Sequence, residues 1–262
     1  MLDREKLSSH LHREEEQLLA GHIFDKIEMV LKRKNEESTN FLNPYECEIA
    51  EGLLQQIYDV NYLIDGGYQG AERKRITVFP EYLFPEHVDP QVEILKIEGN
   101  FKFQPVNHRD FLGALMGLGI KREMIGDILI LKEMAEVVVA AEMVEFIITK
   151  LTKVHQVPVE LMEIESKELI LPSNNTKEIK TTVASMRLDA VASAGFGDSR
   201  NKISRDIKSE KVKLNWKTVA DPACSVEIGD LISIRGRGRV NVVERIGLSN
   251  RGRIKLSLER YT

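Results

Sequence analysis

The apolar positions of this chain change their period several times, and each change marks an element. Leu11, Leu18, Leu19, Ile23, Ile27 and Val30 recur at helical spacing, the stripe of an amphipathic helix. A polar break over residues 32–40 follows, and Asn43-Pro44 opens a second helix with Asn at the cap and Pro at the first helical position. Ile49, Leu53, Leu54 and Ile57 form its buried stripe. Residues 1–64 therefore read as mainly helical, a packing body. A glycine-rich turn at 65–75, DGGYQGAERKR, then leads into a short strand at 76–79.

Between residues 92 and 164 the pattern is more informative. A strand at 92–97 is followed by Asn107, which caps a helix over 111–118 that ends at Gly119. Two short strands, 127–131 and 136–139, are joined tightly. An amphipathic helix over 142–154 carries Met143, Phe146, Ile147 and Leu151 along one face, and a last strand spans 157–164. That βαββαβ order is the ferredoxin-like arrangement used by many RNA-binding domains. The third strand, AEVVVA at 135–140, has no Phe or Tyr where an RNA-recognition motif stacks bases. The sheet reads as scaffold or protein contact, or binds RNA by another surface. Residues 165–182 turn polar and read as a linker.

Residues 186–240 hold the densest cluster of cations. A short helix places Leu188, Val191 and Ala192 inward and stops at Gly195, a residue suited to the left-handed position after a helix. Arg187 sits at its start, where the helix dipole favours an acid, so it is expected to serve an external partner. In a second helix, 198–209, Ile203 and Ile207 define the core side. Asn201, Arg205 and Lys208 lie opposite, with Arg200 and Lys202 on the flanks. The helix N-terminus at Asp198 and Ser199 offers free N–H groups suited to a phosphate. Alternation over 211–215 buries Val212 and Leu214 and turns Lys211, Lys213 and Asn215 outward together. A basic hairpin, Arg235-Gly-Arg237-Gly-Arg239, completes the module, and Trp216 either stacks on a base or packs on its own domain.

These elements give an α+β chain. Residues 1–72 form a mainly helical region and 73–168 a ferredoxin-like domain; a linker at 169–183 precedes a basic domain at 184–262. Charge sharpens the division. The net charge of −4 splits into +7 from residue 187 onward, where 16 Lys+Arg face 9 Asp+Glu, and −11 before it. Affinity for a polyanion follows the local field, so the C-terminal domain is the candidate nucleic-acid binder on an acidic body. A second contact is conceivable at Tyr68, Arg73, Lys74 and Arg75; the bland alternative is a tight turn with solvated charges.

Residues 187–240 resemble the S-four RNA-binding domain, named for small-subunit ribosomal protein four, in the segments RLDAVASAGF, SRNKISRDIKSEKVKLN and GDLISIRGRGR. With GGYQGAERKR, HRDFLGALMGLGIKREMIGDILI and the βαββαβ block added, nearly the whole chain resembles the YlmH family. The resemblance implies an RNA-binding protein acting on ribosomes, linked to ribosome-associated quality control on large subunits obstructed by peptidyl-tRNA. Its RNA-contact surface would comprise Arg187, Ser199, Arg200, Lys202, Arg205, Lys208, Lys211 and Lys213. Arg235, Arg237 and Arg239 are added from charge geometry. The alternative is a protein-interaction adaptor, related to cell division or the photosystem, that works through the acidic region and is only tethered by ribosomal RNA or tRNA.

Nothing in the sequence calls for catalysis. His108-Arg109-Asp110 has the letters of a kinase catalytic loop without the accompanying motifs, and capping explains it better. The six histidines show no metal-ligand spacing, Cys47 and Cys224 do not form a disulfide framework, and no cofactor is implied. The longest apolar run, 137–148, is broken by Glu142 and Glu145, which argues against a membrane span, and the chain reads as cytoplasmic.

Overall fold

Charge and capping explain where the first helices begin and end. After α1 (Arg4–Ser8), α2 (Glu14–Arg33) starts on three glutamates and ends on Lys32 and Arg33, matching the helix dipole at both ends. It buries Ala20, Ile23, Phe24, Ile27 and Val30. In α3 (Pro44–Leu54) Asn43 and Glu46 form a reciprocal capping box. The helices pack on a small antiparallel sheet of β1 (Glu37–Ser38), β2 (Val60–Asp65) and β3 (Arg75–Pro80), in the order β1-β3-β2. The helical pattern of the first 64 residues concealed β1 and β2. β1 has two residues, and β2, VNYLID, does not alternate strictly.

The computed structural model describes residues 2–102, 104, 106–172 and 176–261, which fall into two units, 1–172 and 173–262. The first unit continues through β4 (Val92–Gly99), α4 (His108–Gly117), β5 (Ile125–Ile130), β6 (Met134–Ala140), α5 (Val144–Lys150), β7 (Lys153–Val154) and β8 (Val157–Ile164). Their antiparallel sheet has the order β5-β6-β4-β8-β7. Without the short β7 this is the ferredoxin-like order, with the first and third strands at the centre. The helix expected over 142–154 is shorter, because the chain turns into the β7–β8 hairpin, with His155 at φ 55.

The two faces of this sheet have different partners. Leu95, Ile97, Val137 and Val139 pack under Phe111 and Leu115 of α4 and Val144 and Ile147 of α5. On the opposite face Ile94, Val138 and Ala140 are covered by Phe41, with Tyr68 and Leu169 packed alongside. The fit there is close: a Cβ on Gly126 would meet the Phe41 ring at 2.8 Å.

The second unit is a six-stranded antiparallel sheet under two helices. It comprises β9 (Thr176–Val183), α6 (Leu188–Phe196), α7 (Arg200–Lys208), β10 (Val212–Leu214), β11 (Lys217–Thr218), β12 (Leu231–Ile234), β13 (Gly238–Leu248) and β14 (Ile254–Tyr261). The strand order is β11-β10-β12-β13-β14-β9. Ile203 and Ile207 of α7 and Leu188 and Val191 of α6 close on Val212, Ile232, Val240, Leu256 and Leu258. The linker reading of 169–183 is corrected over 176–183, which pairs with β14 from Val183 to Thr176; residues 173–175 lie outside the described residues. β9 looks like a linker in sequence because one of its faces carries Lys and Glu to solvent.

The glycine assignment in α6 also changes. The left-handed position belongs to Gly197, at φ 69. Gly195 lies inside the helix, where an added Cβ would meet Val240 Cγ1 at 2.7 Å. Gly195→Ala is therefore expected to destabilise by about 1–2 kcal/mol, crowding the stiff Val240 side chain against the gain in helix propensity. Gly113→Ala in α4, where a new Cβ meets nothing within 4 Å, should stabilise by up to about 1 kcal/mol. Denaturant midpoints of the two variants check both signs.

Candidate nucleic-acid interface

The site is built around a buried acid. Asp189, in the first turn of α6 and 5% exposed, accepts hydrogen bonds from Arg187 at 3.3 Å and from Arg200 of α7 at 2.9 Å. Burial opposes its ionisation, and the bonds from Arg200 and then Arg187 outweigh that, so its pKa lies below the ordinary aspartate value. Both arginine side chains stay nearly half exposed. One carboxylate thus orients two guanidinium forks and leaves a net positive charge at the surface. Arg187 therefore has an internal partner as well as any external one.

A second acidic pair fixes the hairpin. Arg237, between β12 and β13, donates to Asp198 ahead of α7 and, at 2.6 Å, to Asp206 within it. Arg237, expected on the RNA-contact surface, is therefore held by two acids and staples the turn to α7. Asp198 also accepts from Lys202 at 2.7 Å, which depresses its pKa with further help from Arg237. Ser199 is occupied as the N-cap of α7, its hydroxyl accepting from the Lys202 amide.

The other expected cations divide by face. Arg205 and Lys208 are exposed on the helix layer, away from Ile203 and Ile207. Val212 enters the core beneath the helices, so the pleat turns Lys213 to the other face of the sheet, in register with Ser233 and Arg239. Lys208 and Lys213 therefore lie on opposite faces of the unit. Lys211 and Arg235 connect the two groups. The Lys211 amide donates to Asp206 O in α7, and its carbonyl accepts from the Arg235 amide, both at 3.0 Å. The result is a cationic band running over the helix face, a seam at Lys211 and Arg235, and the far sheet face. Asn215 leaves the set, since it sits in a turn at φ 49 and bonds Asp230 at 2.7 Å. Trp216 is half-buried in the same turn. The sequence pattern did not single out Arg245, Arg251 and Lys255, exposed on the β13–β14 hairpin. The Arg-Gly-Arg run at 251–253 was their only local signal.

Of the second contact expected around the glycine-rich turn, Arg75 is buried in the fold, while Tyr68, Arg73 and Lys74 are half-buried. Arg75 is 4% exposed; it binds Glu142 bidentately at 2.8 and 3.0 Å and donates to the carbonyls of Thr39 and Gln91. Arg73 donates to the Phe41 carbonyl at 2.7 Å. Asp127 collects the Tyr68 hydroxyl at 2.8 Å and the amides of Glu72 and Arg73. Burial, reinforced by Asp127, raises the Tyr68 pKa. Lys74 is half-buried, its backbone paired with Leu42. Tyr68, Arg73 and Arg75 thus each bond within the fold through their side chains, and Lys74 through its backbone.

Asp110 accepts the Asn107 amide at 2.8 Å, the capping role expected of the His108-Arg109-Asp110 triplet. Among the described residues no group of three or more His, Cys, Asp or Glu is placed to hold a metal ion, and no helix is long and apolar enough to cross a membrane.

Three family models match the chain: "YlmH, N-terminal" over residues 15–83, "Putative RNA-binding domain in YlmH" over 85–168, and "S4 domain" over 186–232. The chain is 37% identical over 222 residues to the Bacillus subtilis (strain 168) protein called "Ribosome-associated protein quality control protein P2", covering 85% of this chain and 86% of that one. This chain belongs to the YlmH family. Among solved structures it is similar to "Cell division protein ylmH from Streptococcus pneumoniae", with a TM-score of 0.52 and 26% identity over 61% of this chain and 96% of that one. The S4 domain match lies within the second unit and contains Arg205, Lys208, Lys211 and Lys213 of the cationic band.

Arg237→Ala should lower the denaturation midpoint, whereas Arg235→Ala should leave stability within about 0.5 kcal/mol. Asp189→Asn should cost about 1–2 kcal/mol, discounted from a fully buried pair because its arginines are half exposed. Asp189 and Asp198 both have depressed pKa values. Their stabilisation is complete above the unfolded aspartate value of about 3.9 and is lost as pH falls through the lower folded values. Stability contributed by these groups should be flat from neutrality to about pH 5 and decline below about pH 4, and Asp189→Asn should blunt that decline.

Proposed function

We propose that this chain is an RNA-binding factor of ribosome-associated quality control. It grips structured RNA, ribosomal RNA or tRNA on the large ribosomal subunit, through phosphate contacts from the second unit. The observation that carries this reading is the cationic band of Arg205, Lys208, Lys211, Arg235 and Lys213, beside two arginines already oriented by Asp189. The name of the Bacillus subtilis relative supports the ribosomal setting. Binding would release counterions and follow backbone shape more than base identity, as A-form grooves and phosphates demand. No cofactor and no bond-making step enter it, and the protein would act in the cytoplasm where ribosomes are.

The test avoids Arg200, whose reversal would repel buried Asp189 and confound folding with binding. Arg205→Glu, Lys208→Glu and Lys213→Glu together should abolish co-sedimentation with ribosomal subunits while leaving the circular dichroism spectrum intact. Unchanged co-sedimentation would sink the reading. Each single-strand phosphate neutralised by the band adds about 0.7 to the slope of log affinity against log salt, so charge-removing variants should show a shallower slope. The acidic first unit, with 31 Asp+Glu against 19 Lys+Arg over residues 1–172, favours a second reading as a protein-docking adaptor. Partners retained in pull-downs after nuclease treatment would favour that adaptor.

A further inference from the structure

In the first unit, α4 and the segment joining α5 to β7 enclose an open cleft of about 480 Å³. Arg109 stands at one side, and Lys150, Lys153 and His155 at the other. All four are exposed. The side chains of Arg109, Lys150 and Lys153 make no hydrogen bond or ion pair among the described residues. Elsewhere in this acid-rich unit Arg4, Lys26, Arg33, Arg75, Lys96 and Lys167 each pair with a carboxylate. Among the described residues the one acid lining the cleft, Asp110, already accepts the Asn107 amide. His155 Nδ1 lies in hydrogen-bond contact with the Gln104 side-chain amide at 2.7 Å.

The floor of the cleft is as informative as its walls. Gly113 and Gly117 line it one helical turn apart, and a Cβ on either would meet nothing within 4 Å. Packing does not require glycine at these positions, and glycine weakens a helix. What their absent side chains provide is a shallow trough between the cations, open enough for a strand to lie against backbone. The opposite side of the domain offers fewer available cations: its apolar half is covered by Phe41, and on its polar half Lys96 is paired with Glu98, beside Glu160 and a buried Glu136.

We propose that this cleft is a second RNA site, taking the phosphate backbone of a single strand through Arg109, Lys150, Lys153 and His155. The proposal rests on the reading of the chain as an RNA-binding protein but is independent of the band in the second unit. It also gives the match of residues 85–168 to a putative RNA-binding domain a surface, the helical face. A ferredoxin-like domain without stacking aromatics would here bind by charge.

The test uses the full-length protein and a fluorescein-labelled, 4-thiouridine-substituted U-rich RNA strand. Arg109→Glu, Lys150→Glu and Lys153→Glu together should weaken binding about tenfold or more. They should also lower the salt slope by about 2, roughly 0.7 for each of three phosphates. Gly113→Gln, which fills the trough without removing charge, should weaken binding in the same direction without unfolding the protein. Crosslinks to peptides spanning 108–118 or 150–156 should be present in the parent and absent from the triple variant. Unchanged affinity and slope, with no crosslink in these peptides, would overturn the second site. Separate reversals in the second unit report on the band, so either site can fail while the other stands. A triple variant that loses polyglutamate peptide binding while keeping RNA binding would make the cleft a protein-docking site, and that also overturns the proposal.

Discussion

A carboxylate can be withdrawn from water only if something replaces its hydration, and Asp189 meets that constraint with two arginines. The arrangement ties the start of α6 to the start of α7 and leaves both guanidinium groups facing outward. The same constraint is met at Arg237, which joins Asp198 and Asp206, and in the first unit at Arg75 with Glu142. Buried or half-buried ion pairs therefore decide which cations of this protein are fold and which are available to a polyanion. A count of Lys and Arg does not make that distinction.

The legibility of the site follows the sequence distance of the partners. Ile203 and Ile207 could be placed from their spacing because a helix is a local object. The outward position of Arg205 and Lys208 followed from the same periodicity. Arg237 could not be sorted, since its acids lie 31 and 39 residues earlier. Arg75 pairs with Glu142 at a separation of 67, so a run of three basic residues looked like a surface patch although its last member is buried. Lys213 shows a different limit. Alternation correctly turned it away from Val212, but only the helices' position shows that this is the face opposite Lys208.

The ferredoxin-like order was readable because its strands alternate or run apolar between clear helix caps, and the lack of stacking aromatics was readable residue by residue. The cover over the sheet was not, because Phe41 reaches it from a segment that precedes every strand of that sheet in the chain. β9 stayed hidden for a related reason. Its pairing partner β14 is the last strand of the chain, and its polar alternation resembles a linker until that partner is known.

The charge asymmetry of the chain acquires a structural meaning from these assignments. The acidic surface of the first unit repels a polyanion at distances up to the Debye length, about 8 Å at physiological salt. RNA held by the second unit would therefore be excluded from most of the first unit and admitted only where cations lack acidic partners. Such an arrangement restricts the paths open to a bound strand without any base being read. On the proposed reading, charge of both signs would contribute to specificity: the band would attract RNA and the acidic body would disfavour misplaced strands.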